Sequence, residues 1–304
     1  MKELKVNYNN NTNFNPNWVT GFIDAEGCFH LSIYRNNLGK WRVTPSFELG
    51  LHVKDLDLLL QIKSFFNNAG KISFYKNSVN YQIRDIASVM GVIVPHFDNY
   101  PLITQKHSDY VLFKEAAKLC LDNEHLNKEG LNKILNLKAY LNNGIPSSII
   151  PYFPNIEGVP RVKVKLPKLI DYNWLAGFFS GDGCFFVNTP IARNCILGYT
   201  VKLSLNITQH LRDKILMEKI IETLGCGNLY KHSEEAVVLK ISTFKDINDE
   251  IIPLFNKYPI KGVRYLDFQD FCSIALMVRN KIHLTLEGLD EIRRIKSGMN
   301  KGRG

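Results

Sequence analysis

The chain has 304 residues, of which 45% are hydrophobic, and its formal net charge is +9. This length suffices for two ordinary cores of roughly 150 residues each, and the positive charge favours a polyanionic partner such as nucleic acid or an anionic membrane surface. No apolar run approaches the roughly 18 residues of a membrane span, and no signal or transit peptide is visible in the Asn-rich start, so membrane insertion is not expected.

The six cysteines at positions 28, 120, 184, 195, 226 and 272 show no C-x-x-C spacing and no histidine pattern beside them. That spacing argues against a zinc site and against a disulfide framework. The pattern favours buried, reduced thiols.

A motif near the N-terminus predicts a short helix that ends in a carboxylate. Asn17 can cap the helix start, the following residues are apolar and small, and Glu26 comes directly before Gly27. An acid at a helix C-terminus opposes the helix dipole, so its position there calls for a functional reason.

Beyond this helix the sequence alternates between apolar and polar residues with the period of two that predicts strands. The segments 28–36, 41–52 and 71–84 each place apolar side chains on one face and hydrogen-bonding side chains on the other. Helical spacing follows at 55–67 and 109–121. Pro45 has no N–H to donate, so it predicts a sheet edge or a bulge at its position.

The segment 142–172 contains five of the twelve prolines and a basic run, which predicts a stiff linker. After it the first half repeats: Trp174–Phe185 matches Trp18–Phe29, with Asn173 as the helix cap and Asp182 in the place of Glu26. Three downstream blocks match at offsets of 157 or 158, and helical spacing recurs at 211–224 and 266–278.

The chain is therefore a tandem duplication of an α+β unit, α-β-β-α-β-β-α plus a closing helix, with half-domains at 1–141 and 173–304. Two helices that end in two carboxylates predict a paired acidic site. Small residues four apart, Gly21 and Ala25 in one copy and Gly177 and Gly181 in the other, would let two helices pack closely.

The two motif copies, 19–27 and 175–183, resemble the LAGLIDADG motif, and the duplicated plan resembles the single-chain LAGLIDADG homing endonucleases from Asn17 to the basic tail. One departure is Ser180, which stands where the motif has its first Asp; its counterpart Asp24 is therefore interpreted as structural. The resemblance implies a saddle of antiparallel sheets along the DNA major groove, with the motif helices packed at its centre.

The resemblance further implies that Glu26 and Asp182 bind divalent metal for phosphodiester hydrolysis, with the backbone carbonyls of Ala25 and Gly181 as further ligands. Mg²⁺ is the expected ion, Mn²⁺ a substitute, and Ca²⁺ an ion that binds without supporting cleavage. An acid retained in both copies argues against a catalytically inactive relative.

The family also uses a polar residue near the end of the second strand and a basic residue farther downstream to support catalysis. The repeat alignment assigns the first role to His52 and Gln209 and the second to Lys106 and Arg264.

Outward-facing strand residues are the candidates for reading bases, because a major groove admits a β-ribbon. This face mixes amide, hydroxyl, aromatic and charged groups, with Glu48 as a reader of cytosine, whereas a solvated face is richer in Lys and Glu. The candidates are His30, Ser32, Tyr34, Asn36, Arg42, Thr44, Ser46, Glu48, Lys71, Ser73, Tyr75, Asn80, Gln82, Arg84, Asn188, Thr200, Lys202, Ser204, Asn206, Asn228, Tyr230 and Lys240. Phosphate contacts are expected from Arg161, Lys163 and Lys165 in the linker and Lys301 and Arg303 in the tail.

Three functions stay open on this reasoning: a monomeric, site-specific endonuclease acting on double-stranded DNA, a maturase that binds its host intron RNA, and an inactive DNA-binding protein. The endonuclease is favoured. Because the resemblance is to intron-encoded proteins of organelles, a mitochondrial location without a transit peptide is expected.

Overall fold

The computed structural model describes residues 14–303. Residues 1–13 and Gly304 lie outside the described residues, and with them most of the Asn-rich start on which the prediction of a missing signal or transit peptide rests. Backbone contacts divide the chain between Leu166 and Pro167 into two compact units. No helix in the described range is long and apolar enough to cross a bilayer.

The first unit contains one four-stranded antiparallel sheet with the order β1-β2-β4-β3 and helices against it. Its elements are α1 (Pro16–Glu26), β1 (Gly27–Arg35), β2 (Trp41–His52), α2 (Leu56–Phe65), β3 (Lys71–Tyr75), β4 (Ser78–Ile83), α3 (Ile86–Ser88, π-helical Val89–Ile93 and Val94–Asn99), α4 (Lys106–Leu121) and α5 (Lys128–Lys138).

The second unit repeats this plan with the sheet order β5-β6-β8-β7. Its elements are α6 (Tyr172–Asp182), β5 (Gly183–Asn188), β6 (Lys202–His210), α7 (Lys214–Leu224), β7 (Asn228–Lys231), β8 (Ala236–Ile241), α8 (Phe244–Asp246, π-helical Ile247–Ile251 and Ile252–Lys257), α9 (Val263–Arg279) and α10 (Leu286–Ser297). The predicted α+β duplication is confirmed.

Each unit has one helix more than the sequence patterns predicted, namely α3 and α8. Each contains a π-helical turn followed by an α-helical segment. The second residue of that segment is a proline, Pro95 in α3 and Pro253 in α8. A proline has no N–H for the usual helical hydrogen bond, so the helix widens locally instead of ending. Because a proline is expected to interrupt a helix, the sequence pattern alone did not predict α3 or α8.

The apolar face of each sheet packs against these helices and forms the core of its unit. In the first unit, the buried ring of Phe29 on β1 lies 5.2 Å from that of Phe97 on α3 and 5.3 Å from that of Phe113 on α4. Phe185 on β5 contacts Phe271 on α9 in the same way, with ring centroids 5.3 Å apart. Pro45 pairs with β1 at a point that β4 does not reach, which confirms the predicted edge position.

The motif helices begin two residues earlier than predicted. The capping side chains are Asn15, which accepts from the N–H of Asn17, and Asp171, which accepts from the N–H of Asn173. The prediction that Asn17 and Asn173 are the caps was wrong, because each of them donates to the cap through its own backbone.

The glycine after each acid serves close packing and not a left-handed turn. Gly27 has φ −78° and ψ 158°, which any residue adopts. A Cβ at Gly27 would lie 2.5 Å from Cγ2 of Ile23, and one at Gly183 would lie 2.4 Å from the carbonyl oxygen of Phe179. Each helix therefore turns directly into its strand with no room for a side chain.

Asp24 is structural, as predicted. It is 4% exposed, and its carboxylate accepts hydrogen bonds from the backbone N–H groups of Ile103 and Thr104 and from the Thr104 hydroxyl at 2.6 Å. Ser180 makes a smaller version of this link, because its hydroxyl oxygen accepts from the N–H of Lys261 at 3.1 Å. In both units the motif helix thus holds the loop that precedes α4 or α9.

A buried polar pair, Thr20 and His96, distinguishes the first unit. The Thr20 hydroxyl donates to the carbonyl of Tyr100, so it accepts from Nε2–H of His96, 3.1 Å away, and the imidazole is neutral. Burial lowers the pKa of His96 to about 3. In the repeat, Ala176 and Leu254 occupy the same two positions.

We expect Gly27→Ala to lower the free energy of unfolding by about 1–3 kcal/mol, because the new methyl group must displace Ile23 from a packed helix end. Gly50→Ala is the matched control: it lies in β2 with only Oδ1 of Asn80 near its Cβ position, at 3.7 Å. Urea denaturation of both variants measures the difference, and equal stabilities would contradict the proposed close packing.

We also expect acid to destabilise the protein through His96. The unfolded state binds a proton below pH 6.5 while the folded state stays neutral, so the stability present above pH 6.5 is lost at up to about 1.4 kcal/mol per pH unit as the pH falls towards 3. The double variant Thr20→Ala/His96→Leu copies the apolar pair of the second unit. Its unfolding free energy should depend less steeply on pH between 6.5 and 5 than that of the wild type; identical slopes would refute the assignment.

Candidate active site and nucleic-acid interface

Each unit presents one carboxylate at the end of its motif helix. Glu26 is the last residue of α1 and Asp182 the last residue of α6, and both side chains are half-buried. In each unit the residue after the acid is the first residue of a sheet strand. The acid therefore lies where the helix meets the polar face of its own sheet. The two positions match in the repeat, as the sequence analysis predicted.

In the first unit a lysine lies against the helix end that carries the acid. The Lys106 ammonium donates to the carbonyl oxygens of Ile23 at 2.8 Å and Ala25 at 3.2 Å. A cation there complements the negative end of the helix dipole. The structure thus brings together three predicted residues of this unit, Glu26, Ala25 and Lys106.

In the second unit the acid is held by an amide. Nε2 of Gln209 on β6 donates to Oδ2 of Asp182 at 2.5 Å. This hydrogen bond orients the carboxylate of Asp182 through one of its oxygens. Gln209 is therefore correctly predicted to lie beside the acid of its own unit.

His52 is not the counterpart of Gln209. Gly27 pairs with Leu49 and Gly183 with Ile207, which makes Leu51 the equivalent of Gln209 and His210 the equivalent of His52. His52 and His210 each accept a backbone N–H through Nδ1 and cap the turn after their strand. The repeat alignment was wrong by one residue here, because the small insertions that shift the offset cannot be located by matching blocks alone.

Arg264 is engaged by two other residues of its own unit, Asn300 and Asp267. Its Nη1 donates to Oδ1 of Asn300 at 3.2 Å and lies 3.6 Å from Oδ2 of Asp267. Lys261, which the sequence analysis missed, follows the loop held by Ser180, and burial lowers the pKa of its ammonium. The sequence signal that could have identified it is a lysine directly after Tyr258–Ile260, the segment that repeats Tyr100–Leu102.

The donor set at each helix end consists of hard oxygen atoms, a carboxylate and adjacent main-chain carbonyls. Among residues 14–303 no three His, Cys, Asp or Glu side chains cluster as a complete metal site. A divalent ion of the Mg²⁺ type needs few protein ligands, because water and phosphate complete its shell. The residues Glu26, Ala25, Asp182 and Gly181 therefore fit such an ion in chemistry.

The six cysteines are free thiols, as predicted, but they are not uniformly buried. Cys28 and Cys195 are exposed and only Cys120 is fully buried. The expectation of buried thiols was wrong for Cys28 because its strand position faces the polar side of the sheet.

The polar face of the first sheet collects most of the predicted base-reading residues. The strand register pairs Tyr34 with Arg42, Glu48 with Gln82, and Asn80 with Ser73, so these side chains share one face. The same face carries His30, Ser32, Thr44, Ser46, Lys71 and Tyr75. The predicted alternation in the first half is confirmed.

Two members of this face support a third. Ser46 is 1% and Gln82 is 8% exposed, and both donate to Oε1 of Glu48, the hydroxyl of Ser46 at 2.8 Å. The Ser46 hydroxyl and one N–H of Gln82 fix the Glu48 carboxylate, and because both side chains are buried, their predicted direct roles are corrected to indirect ones. Oε2 of Glu48 is the oxygen that this arrangement leaves for a ligand.

The second sheet carries a different set at the matched positions. Asn206, Ser204 and Lys240 take the places of Glu48, Ser46 and Gln82, and Ser204 is likewise buried. The face also contains Asn188, Lys202, Asn228 and Tyr230. Thr200 precedes the observed start of β6 and its N–H bonds the carbonyl of Pro190, so its predicted strand position was wrong.

Two other predicted contacts lie outside the strands. Asn36 follows β1, and its Oδ1 accepts from the N–H groups of Leu38 and Lys40, which closes the turn. Arg84 follows β4 and is exposed. Both remain near the rim of the polar face and not on it.

The linker arginine has a structural role. Arg161 forms a bidentate ion pair with buried Asp109, with N–O distances of 2.8 and 3.1 Å, and also donates to the carbonyls of Gln105 and Tyr140. Its guanidinium is engaged within the first unit, which corrects the predicted phosphate contact. Lys163 and Lys165 are exposed.

The tail arginine is engaged in the same manner. Nε of Arg303 lies 3.0 Å from Oδ1 of Asp267, and its Nη2 donates to Asp270. The predicted phosphate contact of Arg303 is corrected for the same reason as that of Arg161, whereas Lys301 is exposed.

Comparison with known proteins places this geometry in context. The family described as LAGLIDADG endonuclease matches residues 19–117 and 175–275. Two Neurospora crassa proteins named probable intron-encoded endonuclease 3 and 2 are 40% and 38% identical over 96% and 94% of this chain. The chain spans 56% and 65% of their own lengths.

A solved structure of I-SmaMI, a LAGLIDADG homing endonuclease bound to cleaved DNA, is 42% identical to this chain. It superposes with a TM-score of 0.93 over 97% of this chain and all of that one. The same protein has been solved with an uncleaved DNA target in the presence of calcium ions. It has also been solved as single and double lysine-to-alanine variants.

The family match covers about two thirds of the chain and falls once in each unit, where it includes both motif helices and both sheets. The relatives and the solved structure agree with it in name and in fold. The chain belongs to the LAGLIDADG endonuclease family.

Proposed function

We propose that this protein is a site-specific DNA endonuclease that hydrolyses one phosphodiester bond in each strand of its target. The observation that carries the proposal is the repeated placement of an acid, Glu26 or Asp182, where a motif helix meets a sheet whose outer face is polar. I-SmaMI, bound to cleaved DNA, supports it by its likeness over the whole chain.

The proposed site takes divalent ions, with Mg²⁺ as the physiological one, Mn²⁺ as a substitute, and Ca²⁺ as an ion that permits binding only. Glu26 and Asp182, with the carbonyls of Ala25 and Gly181, would hold the metal, which when bound polarises the scissile phosphate and lowers the pKa of the attacking water. The I-SmaMI structure with uncleaved DNA and calcium ions supports the role given to Ca²⁺.

The other residues act on orientation and charge. Gln209 fixes the rotamer of Asp182 through one carboxylate oxygen. The ammonium of Lys106, held at the α1 carbonyls, places a positive charge at the end of the motif helix, where it would stabilise the negative charge that develops on the scissile phosphate. We assign the matching role in the second unit to Lys261 in place of Arg264. Lys261 lies in the loop that Ser180 of the motif helix holds, whereas Arg264 donates to Asn300.

We further propose that the protein acts as a monomer, because one chain already contains two acids and two polar sheet faces. This arrangement requires the two half-domains, 1–141 and 173–304, to act on opposite strands of one duplex. The names of the Neurospora relatives support an intron-encoded origin. We also propose a mitochondrial location.

We expect Glu26→Gln and Asp182→Asn each to abolish double-strand cleavage while DNA affinity in Ca²⁺ changes little, because an amide keeps the shape of the acid but is a poor ligand for a hard cation. The target is obtained by selecting cleaved sites from a randomised DNA pool. Cleavage is followed in Mg²⁺ on gels and binding by fluorescence anisotropy. A variant that still cuts both strands at the wild-type rate would refute this metal site.

Glu48 is proposed to read an exocyclic amine. Its carboxylate is fixed by Ser46 and Gln82 through Oε1, so Oε2 is presented as a preoriented acceptor. In the major groove, cytosine N4 and adenine N6 are the donors, while guanine and thymine offer acceptors that a carboxylate repels. The matched Asn206 and Lys240 offer donors, so the two half-sites should differ at this position.

We expect Glu48→Gln to relax selectivity at one base pair of the target by about 1–3 kcal/mol, since the amide can donate as well as accept. Glu129→Gln, which removes the same charge from an exposed position on α5, is the control. Sequencing of cleaved sites from a randomised pool compares the two. If the Glu48 variant keeps the wild-type base preference at every position of the target, the assignment is contradicted.

A further inference from the structure

A pair of asparagines, Asn142 and Asn300, occupies equivalent places at the ends of the two units, 158 residues apart. Each follows the closing helix of its unit and has a left-handed backbone, with φ of 51° and 53°. Asparagine is one of the few residues other than glycine that adopts this conformation readily. Neither residue belongs to the catalytic groups described above.

Both asparagines make the same two hydrogen bonds. The Nδ2 of Asn142 donates to the carbonyl of Phe29 at 2.7 Å, and its backbone N–H donates to Oδ1 of Asp109 at 3.1 Å. In the second unit the bonds are Asn300 Nδ2 to the Phe185 carbonyl at 3.0 Å and Asn300 N–H to Oδ1 of Asp267 at 2.9 Å.

In each unit these bonds join the strand that follows the acid to the long helix, α4 or α9, at or just before whose start the basic residue lies. Phe29 lies on β1 three residues after Glu26, and Asp109 lies on α4 one turn after Lys106. Asn142 therefore ties the strand that leaves the acid to the helix that carries the basic residue. Because the backbone of Asn142 contacts one element and its side chain the other, a change in either element is transmitted to its partner.

In the second unit Asn300 makes one further contact with the long helix. Oδ1 of Asn300 accepts from Nη1 of Arg264 at 3.2 Å, while its Nδ2 holds β5 three residues after Asp182. The aspartate that accepts the backbone N–H of the asparagine also forms an ion pair in each unit with an arginine farther along the chain. Arg161 pairs with Asp109, and Arg303 pairs with Asp267. These two acids are 5% and 2% exposed, so the aspartate end of each junction lies in the interior.

We propose that Asn142 and Asn300 are positioning residues of the cleavage reaction, each of which holds the metal-binding acid of its own unit in register with the long helix, α4 or α9, at or just before whose start the basic residue of that unit lies. This inference rests on the proposed endonuclease function. Its distinctive consequence is strand-specific, because each asparagine serves a single acid. Loss of Asn142 affects the strand cut by the first unit, and loss of Asn300 affects the other strand.

The test uses glycine, because Asn142→Gly and Asn300→Gly keep the left-handed backbone without strain and remove only the hydrogen bonds of the side chain. A duplex target with a different fluorophore on each strand reports both nicking rates in Mg²⁺ under single-turnover conditions. Each variant should slow one strand by about 10- to 100-fold, the effect typical of residues that orient metal ligands, and the two variants should slow opposite strands.

Three controls separate positioning from general destabilisation. Asn143→Gly, at the neighbouring exposed position, should leave both rates unchanged. DNA affinity in Ca²⁺ should stay within about threefold for all variants, since orientation and not binding is altered. Asn142→Asp and Asn300→Asp tolerate the same backbone but lose the donor, so they should behave like the glycine variants.

The outcomes are distinct. If the wild type cuts its target and both strands are slowed equally by Asn142→Gly, or neither is, the positioning role is overturned while the endonuclease function stands. If the wild type cuts no target in Mg²⁺, the proposed function fails and this inference fails with it. Opposite strand biases from the two variants support the proposal, because a purely stabilising role would not choose a strand.

Discussion

The direct passage from motif helix to strand is the constraint on which the rest of each unit depends. The chain turns from α1 into β1, or from α6 into β5, against the preceding helical turn, and only a glycine fits at the junction. The residue before that glycine is consequently fixed at the border between helix and sheet. This border is where Glu26 and Asp182 lie, so the position of the acid follows from packing before any chemistry is considered.

Around this junction each unit uses the motif helix as an anchor for a distant segment. Asp24 holds the backbone before α4 with three hydrogen bonds, whereas Ser180 holds the loop before α9 with one. Both arrangements bring the start of a long helix to the end of the motif helix. The two repeats thus keep the same link between motif helix and loop with different numbers of hydrogen bonds. Such a difference is typical of a duplication whose halves have diverged.

That divergence extends to the groups around the acids. Asp182 receives a side-chain amide from Gln209, but the equivalent residue in the first unit is Leu51, which has nothing to donate. Lys106 contacts the end of its motif helix, while Arg264 turns towards Asn300. Unequal surroundings of this kind would give the two acids unequal reactivity under the proposed function.

The sequence by itself determined the duplication, the α+β plan, the two acids and the face of each sheet that is polar. These features are local or periodic: strand alternation reports burial directly, and a repeated motif reports itself. The π-helical segments were missed because Pro95 and Pro253 read as helix breakers when taken one residue at a time. The matching of His52 with Gln209 failed because strand register is set by pairing and not by residue number.

Only the tertiary structure decided which polar groups are committed to partners. Arg161 and Arg303 look like phosphate ligands in a basic run, yet buried aspartates more than thirty residues away along the chain bind both of them. Ser46 and Gln82 share the polar face with Glu48, and only their burial and hydrogen bonds reveal that they orient it. Composition and periodicity specify where a side chain points, but its partner comes from another part of the fold, and that pairing is decided when the chain packs.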